Sequence, residues 1–99
     1  MMFTVVICSR DEHRFRNAAE MYRRLLADKT VEVIRVADAR SLAEGYNRAL
    51  SHSHGELLIF SHDDLKILAP DFAGRLESYL DRFNVVGVAG TTRLVHPRL

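Results

Sequence analysis

Apolar residues follow two kinds of pattern along this chain. Nearly continuous apolar runs at residues 3–8, 31–36, 57–60 and 85–89 have the length of β-strands. Between these runs, apolar residues recur every three or four positions, which predicts three amphipathic helices. Strands that alternate with helices are typical of a parallel sheet with right-handed crossovers. We therefore predict an α/β fold: a three-layer α/β/α, Rossmann-like sheet with about four strands and three helices.

Polar residues mark where the helices begin. Ser9 and Glu12 have the spacing of a capping box, and Ser41 and Glu44 repeat that spacing before the second helix. Pro70 suits the first position of the third helix, where its missing N–H would have no partner. The first and third helices each carry an apolar face that we expect to pack on the sheet. These two faces comprise Phe15, Ala18, Tyr22, Leu25 and Leu26, and Phe72, Leu76, Tyr79, Leu80 and Phe83.

The apolar run 57–60 is the predicted centre of the sheet. Four consecutive apolar residues indicate a strand that is buried on both faces, whereas the more alternating run 31–36 indicates a position nearer an edge. Just after the central run, Asp63 and Asp64 bring two carboxylates to the C-terminal end of the strand. Ligands of open α/β sheets bind outside the carboxyl ends of the strands, so we expect the functional site there.

The two adjacent carboxylates suit a hard divalent cation. Mg²⁺ and Mn²⁺ prefer oxygen ligands and commonly hold a substrate diphosphate at the same time. The metal would then stabilise negative charge on a departing phosphate. Paired aspartates also occur in solvated turns and helix caps, so the pair alone leaves both interpretations open.

Composition limits the classes of function. The chain has 99 residues, of which 47% are hydrophobic and 27% charged, as is typical of one globular domain. Its net charge of +1 gives no reason to expect a nucleic-acid partner. No apolar run approaches the length of a membrane span, and residues 1–9 lack the basic start of a signal peptide, so we predict no membrane span and a cytoplasmic location. The single cysteine, Cys8, excludes an internal disulfide and is expected to be a buried thiol.

The order of these features resembles a known family. Residues 45–50 and 54–64 combine a helix of the form N-x-(A/G), a turn similar to A-x-G-E, and an apolar strand that runs into acidic residues. This segment resembles the central part of family 2 glycosyltransferases of the GT-A fold, in which the strand leads into a D-x-D motif. Ser9 and Asp38, which follow the first and second strands, also stand where that family places nucleotide contacts. The resemblance covers nearly the whole chain and implies a nucleotide-sugar donor.

The resemblance also implies roles for individual residues. Asp38 corresponds to the acid that contacts the nucleotide base, and Asp63 to the last acid of D-x-D, which reaches the metal, with Asp64 beside it. Ser61 occupies the position of the first acid, and a serine cannot supply that charge. The implied cofactor is Mg²⁺ or Mn²⁺. The residues implied to bind the donor are Ser9, Asp38, Asn47, Ser61 and Thr91, and the implied metal ligands are Asp63 and Asp64.

The family's reaction is attack by an acceptor hydroxyl on the anomeric carbon of the donor, with inversion, assisted by a carboxylate base. That base normally lies beyond the metal motif, so the resemblance covers only the nucleotide-sugar-binding half of such an enzyme. We expect residues 1–99 to form a single GT-A-like domain that is incomplete at its C-terminus and transfers sugar poorly by itself. The acceptor is unknown. The open sheet of a half-domain also makes self-association an expectation.

Two other functions remain open at the level of sequence. In a receiver-like phosphoacceptor domain, Asp11 and Glu12 would hold Mg²⁺ near Asp63, although no lysine follows the fourth predicted strand. In a non-catalytic interaction module, Asp63 and Asp64 would belong to a solvated loop. Nucleotide binding that depends on a divalent metal would separate the glycosyltransferase hypothesis from the interaction module.

Overall fold

The computed structural model describes residues 2–82 of the chain. Strands and helices alternate over this region, as the apolar pattern predicts. The elements are β1 (Met2–Cys8), α1 (Glu12–Leu25), β2 (Thr30–Val36), α2 (Leu42–Leu50), β3 (Leu57–His62) and α3 (Phe72–Leu80). The predicted fourth strand, 85–89, and the predicted donor contact Thr91 lie outside the described residues. Within residues 2–82, none of the helices has both the length and the apolar character that a membrane span requires.

The three described strands form a parallel sheet in the order β2-β1-β3. Val6 of β1 is in register with Ile34 of β2 on one side and with Phe60 of β3 on the other. The edge position predicted for the run 31–36 is confirmed within this sheet, since β2 pairs only with β1. The central strand is β1, and all five of its residues from Phe3 to Ile7 are buried.

The prediction that the run 57–60 is buried on both faces is wrong. Among the described strands β3 lies at an edge, and the side chains of Leu58 and Phe60 are 39% and 43% exposed. The cause is the placement of α2, which packs mainly over β1 and β2 and contacts β3 through stacking of Tyr46 on Phe60. A run of four apolar residues cannot reveal which neighbouring helix will cover each face.

Helices cover both faces of the sheet, which confirms the three-layer prediction. On one face, Phe3, Val5 and Ile7 pack against α1 and α3, and the core includes Tyr22 and Ala73. On the other face, Val6 and Val36 pack against Ala49 of α2. The apolar face predicted for α1 is confirmed; its residues in the core are Phe15, Ala18, Tyr22, Leu25 and Leu26. In α3, Phe72 and Leu76 face the core, but Tyr79 is 51% exposed and Phe83 lies outside the described region.

The helix starts agree only in part with the capping predictions. Ser41 caps α2 by accepting a hydrogen bond from the N–H of Glu44 at 3.1 Å, as predicted. The cap of α1 is Asp11 rather than Ser9, because the hydroxyl of Ser9 is engaged elsewhere. The third helix begins at Phe72 and not at Pro70, since a turn closed by the N–H of Phe72 and the carbonyl of Ala69 precedes it.

Candidate functional site

A cleft of about 260 Å³ lies where the carboxyl ends of β1 and β2 meet the loop that follows β3. This is the edge of the sheet at which ligands of open α/β proteins bind. Its walls come from the loops after the three strands and from the first residues of α2. The lining residues are Cys8, Ser9, Arg10, Val36, Ala37, Ala39, Ser41, Leu42 and Asp63.

Ser9 and Asp63 meet in this cleft. The hydroxyl of Ser9 donates a hydrogen bond of 2.6 Å to Oδ2 of Asp63, and Ser9 itself is only 4% exposed. The carbonyl of Asp11 lies 3.0 Å from the same hydroxyl, which also accepts the N–H of Asp11 at 3.3 Å. The hydroxyl therefore fixes the loop that follows β1 and holds the carboxylate of the loop that follows β3. Oδ1 of Asp63 has no hydrogen bond to any residue from 2 to 82.

Ser61 points away from this pair and into the core. It is 3% exposed, it accepts a 2.8 Å hydrogen bond from the phenol of Tyr22, and it donates one of 2.8 Å to the carbonyl of His62. Burial raises the pKa of Tyr22, so the phenol remains a hydrogen-bond donor. Ser61, which the resemblance matches to the first acid of D-x-D, thus lies on the α1 side of the sheet, and the protein supplies both partners of its hydroxyl.

Asp38 lies on the exposed loop between β2 and α2 and forms an ion pair with Arg48. Its Oδ1 is 2.9 Å from Nη1 of Arg48, whose Nε and Nη2 both lie 3.1 Å from the carboxylate of Glu44. Hydrogen bonding to Asp38 is the main cause that raises the pKa of Arg48. Since Glu44 also accepts the N–H of Arg40 at 3.2 Å, α2 holds this loop in place through side chains.

The other predicted site residues are not in the cleft lining. Asn47 is exposed on α2, and Asp64 is exposed beside Asp63. The structure therefore brings Ser9 and Asp63 together in the cleft and places Asp38 on an adjoining loop. The residues that lie outside the lining are Asn47, Ser61 and Asp64.

Sequence reasoning missed two residues of the cleft. Arg10 lines it and donates from Nη2 to the carbonyl of Ala39 at 3.1 Å, joining the loops that follow β1 and β2. Cys8 also lines it and is partly exposed rather than buried as predicted; desolvation is the main cause that raises the pKa of its thiol. Cys8 is the last residue of β1 and Arg10 lies just after it. Their place at the end of a strand was the available indication that they could line the site.

Glycine at position 45 sets how closely α2 approaches the cleft. A Cβ at Gly45 would lie 2.8 Å from Cβ of Ala39 and 2.9 Å from Sγ of Cys8, and both of these residues line the cleft. The absence of a side chain at Gly45 therefore lets α2 lie against the side chains of Ala39 and Cys8.

The acidic residues at the cleft suit a metal that is shared with a ligand. No group of three or more His, Cys, Asp or Glu side chains that could hold a metal is found among residues 2–82. Mg²⁺ commonly binds through only one or two carboxylates together with substrate phosphates and water. Asp63, whose Oδ1 accepts no hydrogen bond from residues 2–82, and Asp64 beside it fit this shared mode of binding rather than an all-protein site.

A family model described as a glycosyltransferase-like family matches residues 4–96. The chain belongs to this family. The match includes all the lining residues of the cleft and supports a family 2 glycosyltransferase-like domain. A comparison with curated proteins and a comparison with solved structures gave no match.

Proposed function

We propose that this glycosyltransferase-like domain binds the nucleotide-diphosphate sugar of an inverting glycosyl transfer to an acceptor hydroxyl. The observation that carries the proposal is the Ser9–Asp63 hydrogen bond, because it holds a carboxylate inside the cleft at the carboxyl ends of the strands. Family membership supports glycosyl transfer as the reaction class, and the position of the cleft supports it as the proposed place of the donor.

In this proposal each residue has a separate task. Ser9 orients Asp63, and Asp63 with Asp64 holds Mg²⁺ or Mn²⁺ jointly with diphosphate oxygens. The metal supplies positive charge to the departing diphosphate. Asp38 accepts a hydrogen bond from the nucleotide base while Arg48 fixes its loop, and Asn47 and Thr91 are proposed to make further donor contacts.

The alternatives from sequence fit the same residues less well. A receiver-like site needs Asp11 as a metal ligand, but Oδ1 of Asp11 caps α1 through a 2.9 Å hydrogen bond from the N–H of Arg14. An interaction module is favoured by one observation, the exposed side chains of Leu58 and Phe60 on β3. We propose self-association through the apolar face that carries these two side chains as a property that accompanies donor binding, and sedimentation at several protein concentrations tests it.

Calorimetric titration of the 99-residue chain with UDP and GDP, each in Mn²⁺ and in EDTA, tests the proposed function. The variant is Asp63→Ala, and the matched control is Asp28→Ala, which removes an exposed carboxylate in the turn between α1 and β2. We expect binding of one nucleotide that needs Mn²⁺, is lost in Asp63→Ala and persists in Asp28→Ala. A folded chain that binds neither nucleotide would overturn the proposal.

A further inference from the structure

Among residues 2–82, Arg10 is the only basic residue that lines the cleft. It belongs to the loop between β1 and α1, and its Nη2 reaches the carbonyl of Ala39 on the loop between β2 and α2. This single hydrogen bond uses one of the five N–H groups of the guanidinium. The remaining N–H groups are available to a ligand that enters between the two loops.

Three carboxylates on the loops and helices next to the cleft, those of Asp38, Glu44 and Glu12, are paired with other arginines. Asp38 and Glu44 both bind Arg48, and Glu12 binds Arg35 at 2.8 Å. Arg10, in contrast, forms no ion pair with any residue in the described part of the chain. An arginine that lines a cleft without an anionic partner is suited to an anionic ligand, because its planar fork matches the oxygens of phosphate.

We propose that Arg10 binds phosphate oxygens of the nucleotide donor; this inference rests on the proposed function. Asp63 lines the same cleft and repels a phosphate unless a cation lies between them, whereas Arg10 can bind the phosphate directly. The two residues therefore have complementary tasks. Arg10 supplies the phosphate with a fixed positive charge that does not depend on a bound metal.

A purely structural role for Arg10 predicts a different result. If Arg10 only joined its loop to Ala39, its loss would loosen the cleft and weaken every nucleotide ligand to the same degree. If Arg10 binds phosphate, its loss weakens the binding of ligands with more phosphate groups most. The affinity for the nucleoside then stays unchanged.

The test uses two variants. Arg10→Met keeps an unbranched side chain but removes the charge, and Arg10→Lys keeps the charge without the planar fork. Arg24→Met is the control, since it removes an exposed arginine at the far end of α1, whose 14 residues span roughly 21 Å. The ligands are the diphosphate, monophosphate and nucleoside of whichever base binds, titrated in Mn²⁺ and in EDTA. Urea unfolding of each variant confirms that it is folded.

We expect Arg10→Met to weaken the diphosphate about tenfold or more, with the nucleoside unchanged and Arg24→Met like wild type. The affinity of Arg10→Lys for the diphosphate should lie between those of wild type and Arg10→Met. Equal weakening of diphosphate and nucleoside, or unchanged diphosphate affinity in Arg10→Met, would overturn the assignment of Arg10 while leaving the proposed function in place. A wild-type chain that binds no nucleotide would overturn both.

Discussion

The phenol of Tyr22 donates a 2.8 Å hydrogen bond to the hydroxyl of Ser61, and both side chains are buried between α1 and the sheet. The family resemblance predicts that Ser61 occupies the position of the first acid of the metal motif, which raises the question of what an acid would do there. The contact with Tyr22 shows that position 61 belongs to the core of this protein.

We therefore expect Ser61→Asp to destabilise the protein rather than to create a metal ligand. A buried carboxylate without a cation should cost about 3 kcal/mol or more of the free energy of unfolding, measured by urea denaturation. Ser78→Asp, on the exposed face of α3, is the control and should change stability by less than about 0.5 kcal/mol. A Ser61→Asp protein with wild-type stability and tighter Mn²⁺ binding would contradict this placement of the side chain.

Removal of the Ser9 hydroxyl should affect the site more than the fold. Ser9→Ala loses the hydrogen bond to Asp63, so we expect Mn²⁺-dependent nucleotide affinity to fall severalfold and stability to fall by about 1 kcal/mol. Ser53→Ala removes a comparable hydroxyl that binds the carbonyl of Leu50, after α2, and serves as the control. Unchanged affinity in a folded Ser9→Ala protein would show that orientation of Asp63 does not depend on Ser9.

The same substitution at two glycines should have opposite effects. Gly45→Ala forces a methyl group against Ala39 and Cys8, and we expect a loss of about 1–3 kcal/mol in the free energy of unfolding. Gly74→Ala places its methyl group in open space on α3 and should stabilise the protein by roughly 0.5–1 kcal/mol. Thermal unfolding of the two variants measures both changes in stability. Equal changes would contradict the close approach of α2 to Ala39 and Cys8.

Acid should weaken an interaction at the opposite end of the sheet from the cleft. Glu32 accepts hydrogen bonds from the backbone N–H of His54 and from the hydroxyl of Thr4, both at 2.9 Å, and its other oxygen lies 2.8 Å from the ring of His54. The side-chain contact with His54 is the main cause that lowers the pKa of Glu32 from 4.5 to about 2. A lowered pKa stabilises the folded state above pH 4.5, and the contribution is lost as the pH falls towards 2.

The corresponding experiment compares wild type with Glu32→Gln in urea denaturation between pH 6 and pH 2. We expect the wild-type protein to be more stable at pH 6 and the difference to shrink steadily below pH 4.5. Glu20→Gln, which removes an exposed carboxylate from α1, controls for the change in net charge. A difference that is independent of pH would mean that the carboxylate of Glu32 does not stabilise the folded state through its charge.

The order of the elements could be predicted because it depends on local patterns. Periods of three to four residues place Ala18 and Tyr22 on one face of a helix, and β-branched runs give the strands. The Ser41 cap also depends only on residues close in sequence. In the same way, family resemblance followed from a short segment around Asp63.

The remaining features depend on contacts between residues that are distant in sequence. Ser9 has good local spacing for a cap, but Asp63, 54 positions later, takes its hydroxyl as a partner. Exposure of Phe60 depends on which strands α2 covers, and the pairing of Asp38 with Arg48 depends on how α2 returns to the sheet. No local sequence pattern predicts the contact of Arg10, because folding alone brings its loop to the carbonyl of Ala39.

The position of β1 between β2 and β3 has a consequence for the order in which the protein can assemble during synthesis. Of the three described strands, the one made first is the middle one, and its two partners follow only with residues 30–36 and 57–62. Parallel pairing over such separations requires long loops to close, which is slow compared with helix formation. The edge of β1 that pairs with β3 therefore waits for residues 57–62 to leave the ribosome, and the cleft can close only when β3 brings Asp63 to Ser9.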